Sequence, residues 1–230
     1  MYFISIMLLV VSSIFAMYAQ FKVKNTFAAY KNVGVKNNIT GAMAARKVLE
    51  ANGLSGIAVQ QIGGTLSDHY DPRSKVISLS DDVYSGTSIS SISVAAHEVG
   101  HAIQHDQRYP MLEFRNAFVP LVNLVSGAVW PLTIIAIFLM YNFQNELGNL
   151  FLNMAAIGMA AVMIFHLVTL PVEIDASRRA LKQLEISGLM QDEELSGAKR
   201  VLSAAALTYI AALAVSVANL IRILALRDNR

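Results

Sequence analysis

Cysteine is absent from the 230-residue chain. This excludes a disulfide framework and a thiolate nucleophile, and restricts any metal site to His, Asp and Glu. Charge is also scarce, at 15% Asp, Glu, Lys and Arg, against about 25% in an ordinary soluble domain. The basic residues form no long run and are matched by 16 carboxylates, leaving a net charge of +2. That balance gives a nucleic-acid partner no footing. What is abundant is apolar: 55% of the residues are hydrophobic, too many for a free-standing soluble globule.

The hydrophobic excess sits in four stretches, 2–19, 118–140, 149–170 and 201–221, each free or nearly free of charge. Each is long enough to cross a bilayer core of about 30 Å. The sequence therefore predicts a mostly α, multi-pass membrane protein with about four transmembrane helices. Residues 201–221, rich in alanine and serine, would also suit a packed bundle helix. The N-terminal stretch lacks a basic leader region and a small-residue cleavage site, and Lys22 and Lys24 follow it, so it reads as an uncleaved anchor. The polar remainder, 22–117 and 171–200, suffices for one small folded unit and not for two.

Orientation follows from Lys and Arg near the span ends. The side holding the polar remainder carries Lys22, Lys24, Lys31, Lys36, Arg108, Arg115, Arg178, Arg179, Lys182, Lys199 and Arg200. The opposite side has Arg222, Arg227 and Arg230, and the 141–148 connection has neither Lys nor Arg. The polar unit is therefore expected in the cytoplasm and the 141–148 turn outside.

Within that unit, Asn38-Ile39-Thr40 caps a short helix running to about Asn52, and Gly53 closes it. Ile57–Ile62 and Thr65–His69, joined by Gly63-Gly64, read as a β-hairpin, with 75–80 (KVISLS) as a third strand. Asp81 and Asp82 open a turn, and from about Ser88 the sequence SISSISVAAHEVGHAIQH reads as a helix with an apolar face.

His97, Glu98 and His101 on this helix form H-E-x-x-H. At 100° and 1.5 Å per residue the two imidazoles lie about 40° and 6 Å apart and can converge on one ion. Glu98 is turned towards the neighbouring side, where a water would sit. Gly100 permits close backbone approach, and Ala95, Ala96 and Ala102 suit a tightly packed helix. The bland alternative is a solvated polar helix face.

A catalytic zinc needs a third protein ligand and one open position. His105 is about 12 Å along the axis from His97 and cannot share its ion on a straight helix; it reads as a supporting or surface residue. Gln107 stands where a metzincin would carry its third histidine. The remaining candidates are Asp106, Glu113, Glu173 and Asp175. Glu173 stands out because it follows Pro171 at the exit of the third apolar stretch and opens EIDASRRALKQLE, a helix returning to the polar side. Glu173 and Asp175 face about 200° apart, so only one can point at a metal; a capping role near a helix start is the alternative for each. His166, late in the third stretch, reads as a hydrogen-bonding intramembrane residue.

DHYDP (68–72), VISLSDDVY (76–84), AAHEVGHAIQH (95–105) and TLPVEIDASRRAL (169–181), set between spans in this order, resemble the bacterial membrane-bound neutral zinc metallopeptidases of the YugP type. More distantly the chain resembles the HtpX and CAAX prenyl endopeptidase group, where H-E-x-x-H is completed by the glutamate of an E-x-x-A-D motif after a transmembrane hairpin. The resemblance implies that His97, His101 and Glu173 hold one Zn²⁺ per chain, with Ala176 as the motif's alanine. Ser177 occupies the aspartate position, a departure. In the relatives that aspartate is expected to orient a ligand histidine, so Asp175 or another group must serve here.

The implied plan is an anchor (1–21), a zincin-like domain with a short sheet beside the H-E-x-x-H helix (22–117), a transmembrane hairpin (118–170), a helix completing the zinc site (171–200), and a C-terminal helix and tail (201–230). The implied reaction is peptide-bond hydrolysis of a protein or peptide substrate by a zinc-activated water, Glu98 being the general base. Strand 75–80 is expected to pair with extended substrate. The oxyanion partner is unranked among His69, Tyr70, Tyr84, Arg178 and Arg179; for the two arginines the alternative is interfacial anchoring. The expected location is the bacterial inner membrane, in contact with lipid; the sequence does not fix an oligomeric state. Two other readings are an intramembrane, site-2-like zinc protease and a non-catalytic zinc-binding membrane scaffold. The four serines and the glutamine around the motif weigh against a lipid-facing helix there.

Overall fold

The structure, a computed structural model, describes residues 1–143 and 146–228. Two residues of the expected 141–148 turn, and Arg230, lie outside the described residues. The element order is α1 (Tyr2–Lys31), α2 (Gly41–Ala51), β1 (Ala58–Ile62), β2 (His69–Asp71), β3 (Val76–Ser80), α3 (Asp81–Tyr84), α4 (Ile89–Asp106), α5 (Pro110–Phe143), α6 (Glu146–Ile186) and α7 (Asp192–Asp228). The protein is mostly α-helical with one small sheet. Among the described residues α1, α5, α6 and α7 are each long and apolar enough to cross a membrane. Large apolar side chains such as Leu124 and Ile157 are exposed on them, an arrangement that suits lipid and not water.

The chain divides into two compact units. The first is Met1–Ala19, Glu113–Pro171 and Thr208–Arg230. In it Val129, Ala136, Leu152 and Ile223 form a buried apolar cluster, and the Arg222 guanidinium lies 5.0 Å from the Trp130 ring centroid. Gly158 lets α6 approach α5 closely, since a Cβ there would sit 2.8 Å from Val125 Cγ1.

The second unit, Gln20–Leu112 with Val172–Leu207, holds the sheet and α2 to α4. Thr40 Oγ1 accepts a hydrogen bond from the Met43 N–H and starts α2; Gly53, at φ +73°, turns the chain after it. The sheet order is β1-β3-β2, with β1 parallel and β2 antiparallel to β3. The hairpin expected across Gly63-Gly64 does not form. The real hairpin is β2–β3, closed through Asp71-Pro72. There the Asp71 carboxylate accepts from the Arg73 N–H and the Ser74 hydroxyl, an Asx-type turn that a Gly-Gly search overlooks. β3 is buried, with Ile77 and Leu79 sealed in the core.

Helix α4 is buried nearly all round. Ser88 Oγ caps its first turn by accepting from the Ser91 N–H. The serines that make its sequence look polar are satisfied internally: Ser90 donates to the Phe27 carbonyl, Ser91 to that of Asp82 and Ser93 to that of Ile89. Each bond removes the cost of burying a hydroxyl. The helix ends in a Schellman motif, with Tyr109 N–H bonded to the Gln104 carbonyl and Arg108 N–H to that of His105. This puts the exposed Arg108 at φ +50°, a conformation that strains any residue with a Cβ. Arg108→Gly is therefore expected to raise the unfolding free energy by about 1 kcal/mol, read as a higher thermal midpoint in detergent.

Helix α6 differs from expectation. Pro171 does not begin a new helix; it lies inside one continuous helix from Glu146 to Ile186. Proline is tolerated in long apolar helices where neighbours absorb the lost hydrogen bond. Glu173 and Asp175 are thus mid-helix, and the capping role considered for them does not apply.

Candidate metal centre

Two segments build the site: the middle of α4 and the stretch of α6 after Pro171. They meet where neither backbone carries bulk. A Cβ on Gly100 would sit 3.1 Å from the carbonyl carbon of Ala176 and overlap its oxygen, so only glycine admits this approach. Ala176 is itself fully buried. This contact fixes how far the α4 histidines stand from Glu173, one turn before Ala176.

At that crossing, ligand-capable atoms of His97, His101 and Glu173 lie within 4.8 Å of one another, the one such group among the described residues. Glu173 Oε2 is 3.2 Å from His97 Nε2 and 3.5 Å from His101 Nε2. The two rings are edge to face, with centroids 4.7 Å apart. Ligand bonds of about 2.0–2.1 Å in a tetrahedral zinc site imply donor–donor edges of roughly 3.3 Å. The nitrogen and oxygen donors thus suit a tetrahedral cation, with three protein ligands and no fourth within the group. Glu173 is 3% exposed and His101 8%, so neither is a solvated surface group.

Glu98 adjoins the cluster and is 7% exposed. Burial pushes its carboxyl up to about 7; His97 pulls the other way, while the charges of Glu173 and Asp68 reinforce the rise. A bound divalent cation would draw it back down. A buried carboxylate beside the cluster suits proton transfer.

The scan against family models matches residues 5–228 to the family described as "Putative neutral zinc metallopeptidase". The chain belongs to this family. It is also 46% identical over 208 residues, 89% of this chain and 88% of the relative, to a Bacillus subtilis (strain 168) protein named "Putative membrane protease YugP". No solved structure matches the chain.

Within this family member the other candidates separate clearly. Asp175 faces away from the cluster, accepting from Arg179 Nε at 2.5 Å and from Gln104 Nε2 at 2.8 Å. Ser177, read in the sequence as a departure from an E-x-x-A-D pattern, reaches a histidine of the cluster: its Oγ is 3.2 Å from His97 Nδ1. His105 is engaged by the Tyr70 hydroxyl through Nδ1 at 2.9 Å. Burial raises the Tyr70 phenol above its usual range. His69 is exposed, its Nδ1 held by the Ser67 carbonyl. Tyr84 is turned to Arg46, whose guanidinium donates to its hydroxyl at 2.9 Å. Arg178 is exposed, and Arg179 is committed to Asp175 and to Gln107. Asp106, Glu113 and His166 are not in the metal-capable group.

Three participants escaped the sequence reading. Asp68 ties the loop before β2 to the end of β3 by accepting from the Ser80 N–H at 2.7 Å. Ser177 was visible only as a departure. Gln104, fully buried, bonds His101; its spacing of i, i+3 from a ligand-type histidine was the available signal.

Strand β3 lies between β1 and β2 and is paired on both edges. It cannot pair with a substrate, and the free main-chain groups of the sheet lie on the outer edges of β1 and β2.

Proposed function

We propose that the protein is a membrane-embedded zinc metallopeptidase that hydrolyses peptide bonds of protein or peptide substrates. The observation that carries this is the convergence of His97, His101 and Glu173, whose Oε2 lies 3.2 and 3.5 Å from the two ring nitrogens, beside a buried carboxyl, Glu98. In this reading the three residues hold one Zn²⁺ per chain. Zinc bound there would polarise both the attacking water and the scissile carbonyl. Glu98 accepts the proton the water gives up and returns it to the leaving amine. The substrate lies extended along the outer edge of β2, main chain to main chain. On that strand His69 presents an exposed ring, which makes it the oxyanion candidate at the substrate edge.

The zincin-like domain comprises 22–117 and 171–200, and the Lys and Arg bias at the span ends puts it on the cytoplasmic side of a bacterial inner membrane. Placing the chemistry outside the bilayer is supported by α4, which is not among the candidate membrane helices and satisfies its serines in a packed core.

The test is a comparison of newly formed protein termini in cells carrying wild-type protein or Glu98→Gln, together with the zinc content of the purified proteins. Termini present only with wild type, and about one zinc per chain in both, are the expected result. Equal termini profiles with zinc retained would favour the non-catalytic scaffold.

A further inference from the structure

Gln104 has no exposed surface, and each of its amide atoms has a partner. Its Nε2 donates to the main-chain carbonyl of Val172 at 2.8 Å and to the Asp175 carboxylate at 2.8 Å. A carbonyl oxygen can only accept, so the atom facing Val172 must be the nitrogen. The amide cannot be turned over without setting its oxygen against two acceptors. Arg179 Nε donates to the same Asp175 oxygen. With the nitrogen end pinned, Oε1 faces His101 Nδ1 at 3.0 Å and can only accept. In the neutral ring the proton must then sit on Nδ1, which leaves the Nε2 lone pair on the side of Glu173, 3.5 Å away.

His97 lacks this determination. Its Nδ1 faces the Ser177 hydroxyl, which can donate or accept with equal ease.

We propose that Gln104, locked by the Val172 carbonyl and the Asp175–Arg179 pair, is the positioning residue that sets His101 in the Nδ1–H tautomer before any cation arrives. This rests on reading His101 as a metal ligand. Its consequence is that one histidine of the site is ready to coordinate through Nε2 without rearranging a proton or a ring. The same amide also ties α4 to α6 beside Glu173.

The test reads the tautomer directly in the full-length protein, labelled with ¹⁵N-histidine, reconstituted in nanodiscs and stripped of metal. Long-range ¹H–¹⁵N correlation spectra, with His101 assigned by loss of its signals in His101→Gln, are expected to show Nδ1 protonated and Nε2 bare. Wild type with the proton on Nε2 overturns the proposal whatever the variants do. Gln104→Met keeps the volume and removes the acceptor; the Nδ1–H signature should be lost and the zinc dissociation constant should rise about 10- to 100-fold. Retention of that signature in Gln104→Met with the fold intact also overturns the assignment. Because the readout is metal-free and independent of turnover, an inactive protein with the expected spectra would sink the peptidase reading alone.

Discussion

Glu98→Gln is expected to lower kcat by about 10²- to 10⁴-fold while zinc content stays at the wild-type level. The side chain lies in a pocket that already pushes its carboxyl up to about 7, chiefly by burial, so a neutral amide of the same volume fits without new strain. The donor contacts of the cluster run from Glu173 to His97 and from Glu173 to His101. What the amide cannot do is accept a proton from water. Glu173→Ala provides the contrast. It removes the oxygen that both imidazoles face, leaves two ligands, and should lose zinc and activity together. Zinc measured after gel filtration, alongside hydrolysis of an unfolded protein substrate, separates the two cases. More than about a tenth of wild-type turnover in Glu98→Gln would remove it from the general-base role, since that loss lies well below the range expected for such a group.

The motif helix was legible in the sequence for a physical reason. Two histidines four residues apart define one face only if the segment is helical, and the Ser88 cap and the apolar repeat both say that it is. Glu173 was legible from the order of the elements: an apolar hairpin must bring the chain back, and the first carboxylate after the return is available to the site. His105 was set aside by helical rise alone, and it is found on Tyr70. Helical offset said that only one of Glu173 and Asp175 could point at the site, without saying which; Glu173 faces the histidines, and Asp175 bonds Gln104 and Arg179.

The failures have physical causes as well. Gly63-Gly64 looked like a hairpin turn, but a glycine pair permits a turn without requiring one. The pairing was decided elsewhere, by the Asx turn at Asp71 and by Asp68 gripping Ser80. Pro171 looked like a helix start because in water a proline usually marks a boundary, and in this helix it does not. Expecting β3 to serve the substrate overlooked that a small sheet buries its central strand and offers only its edges. Gln104 and Ser177 were missed because their roles depend on which helix lies opposite, and no single-chain periodicity carries that.

Gly100→Ala should cost more than any other single added methyl in the site. A helix interior ordinarily gains from this change, by up to about 1 kcal/mol, and Gly127→Ala in α5 supplies that control because nothing lies within 4 Å of its missing Cβ. At Gly100 the added carbon meets the main chain of Ala176, not the end of a flexible side chain, so no rotamer change relieves it and the two helices must part. Overpacking of this kind costs typically 1–3 kcal/mol. The larger effect falls on the metal. Glu173 and Ala176 share one face of α6, and His97 and His101 flank Gly100, so separating the backbones lengthens the 3.2 and 3.5 Å donor contacts directly. A shift of a few tenths of an ångström already exceeds the tolerance of a zinc bond, about ±0.2 Å. The expected outcome is a lower thermal midpoint than wild type, and a zinc affinity reduced at least tenfold in a chelator competition, with Gly127→Ala matching wild type in affinity. If Gly100→Ala bound zinc as tightly as wild type, the close approach of the two helices would not be what sets the donor spacing.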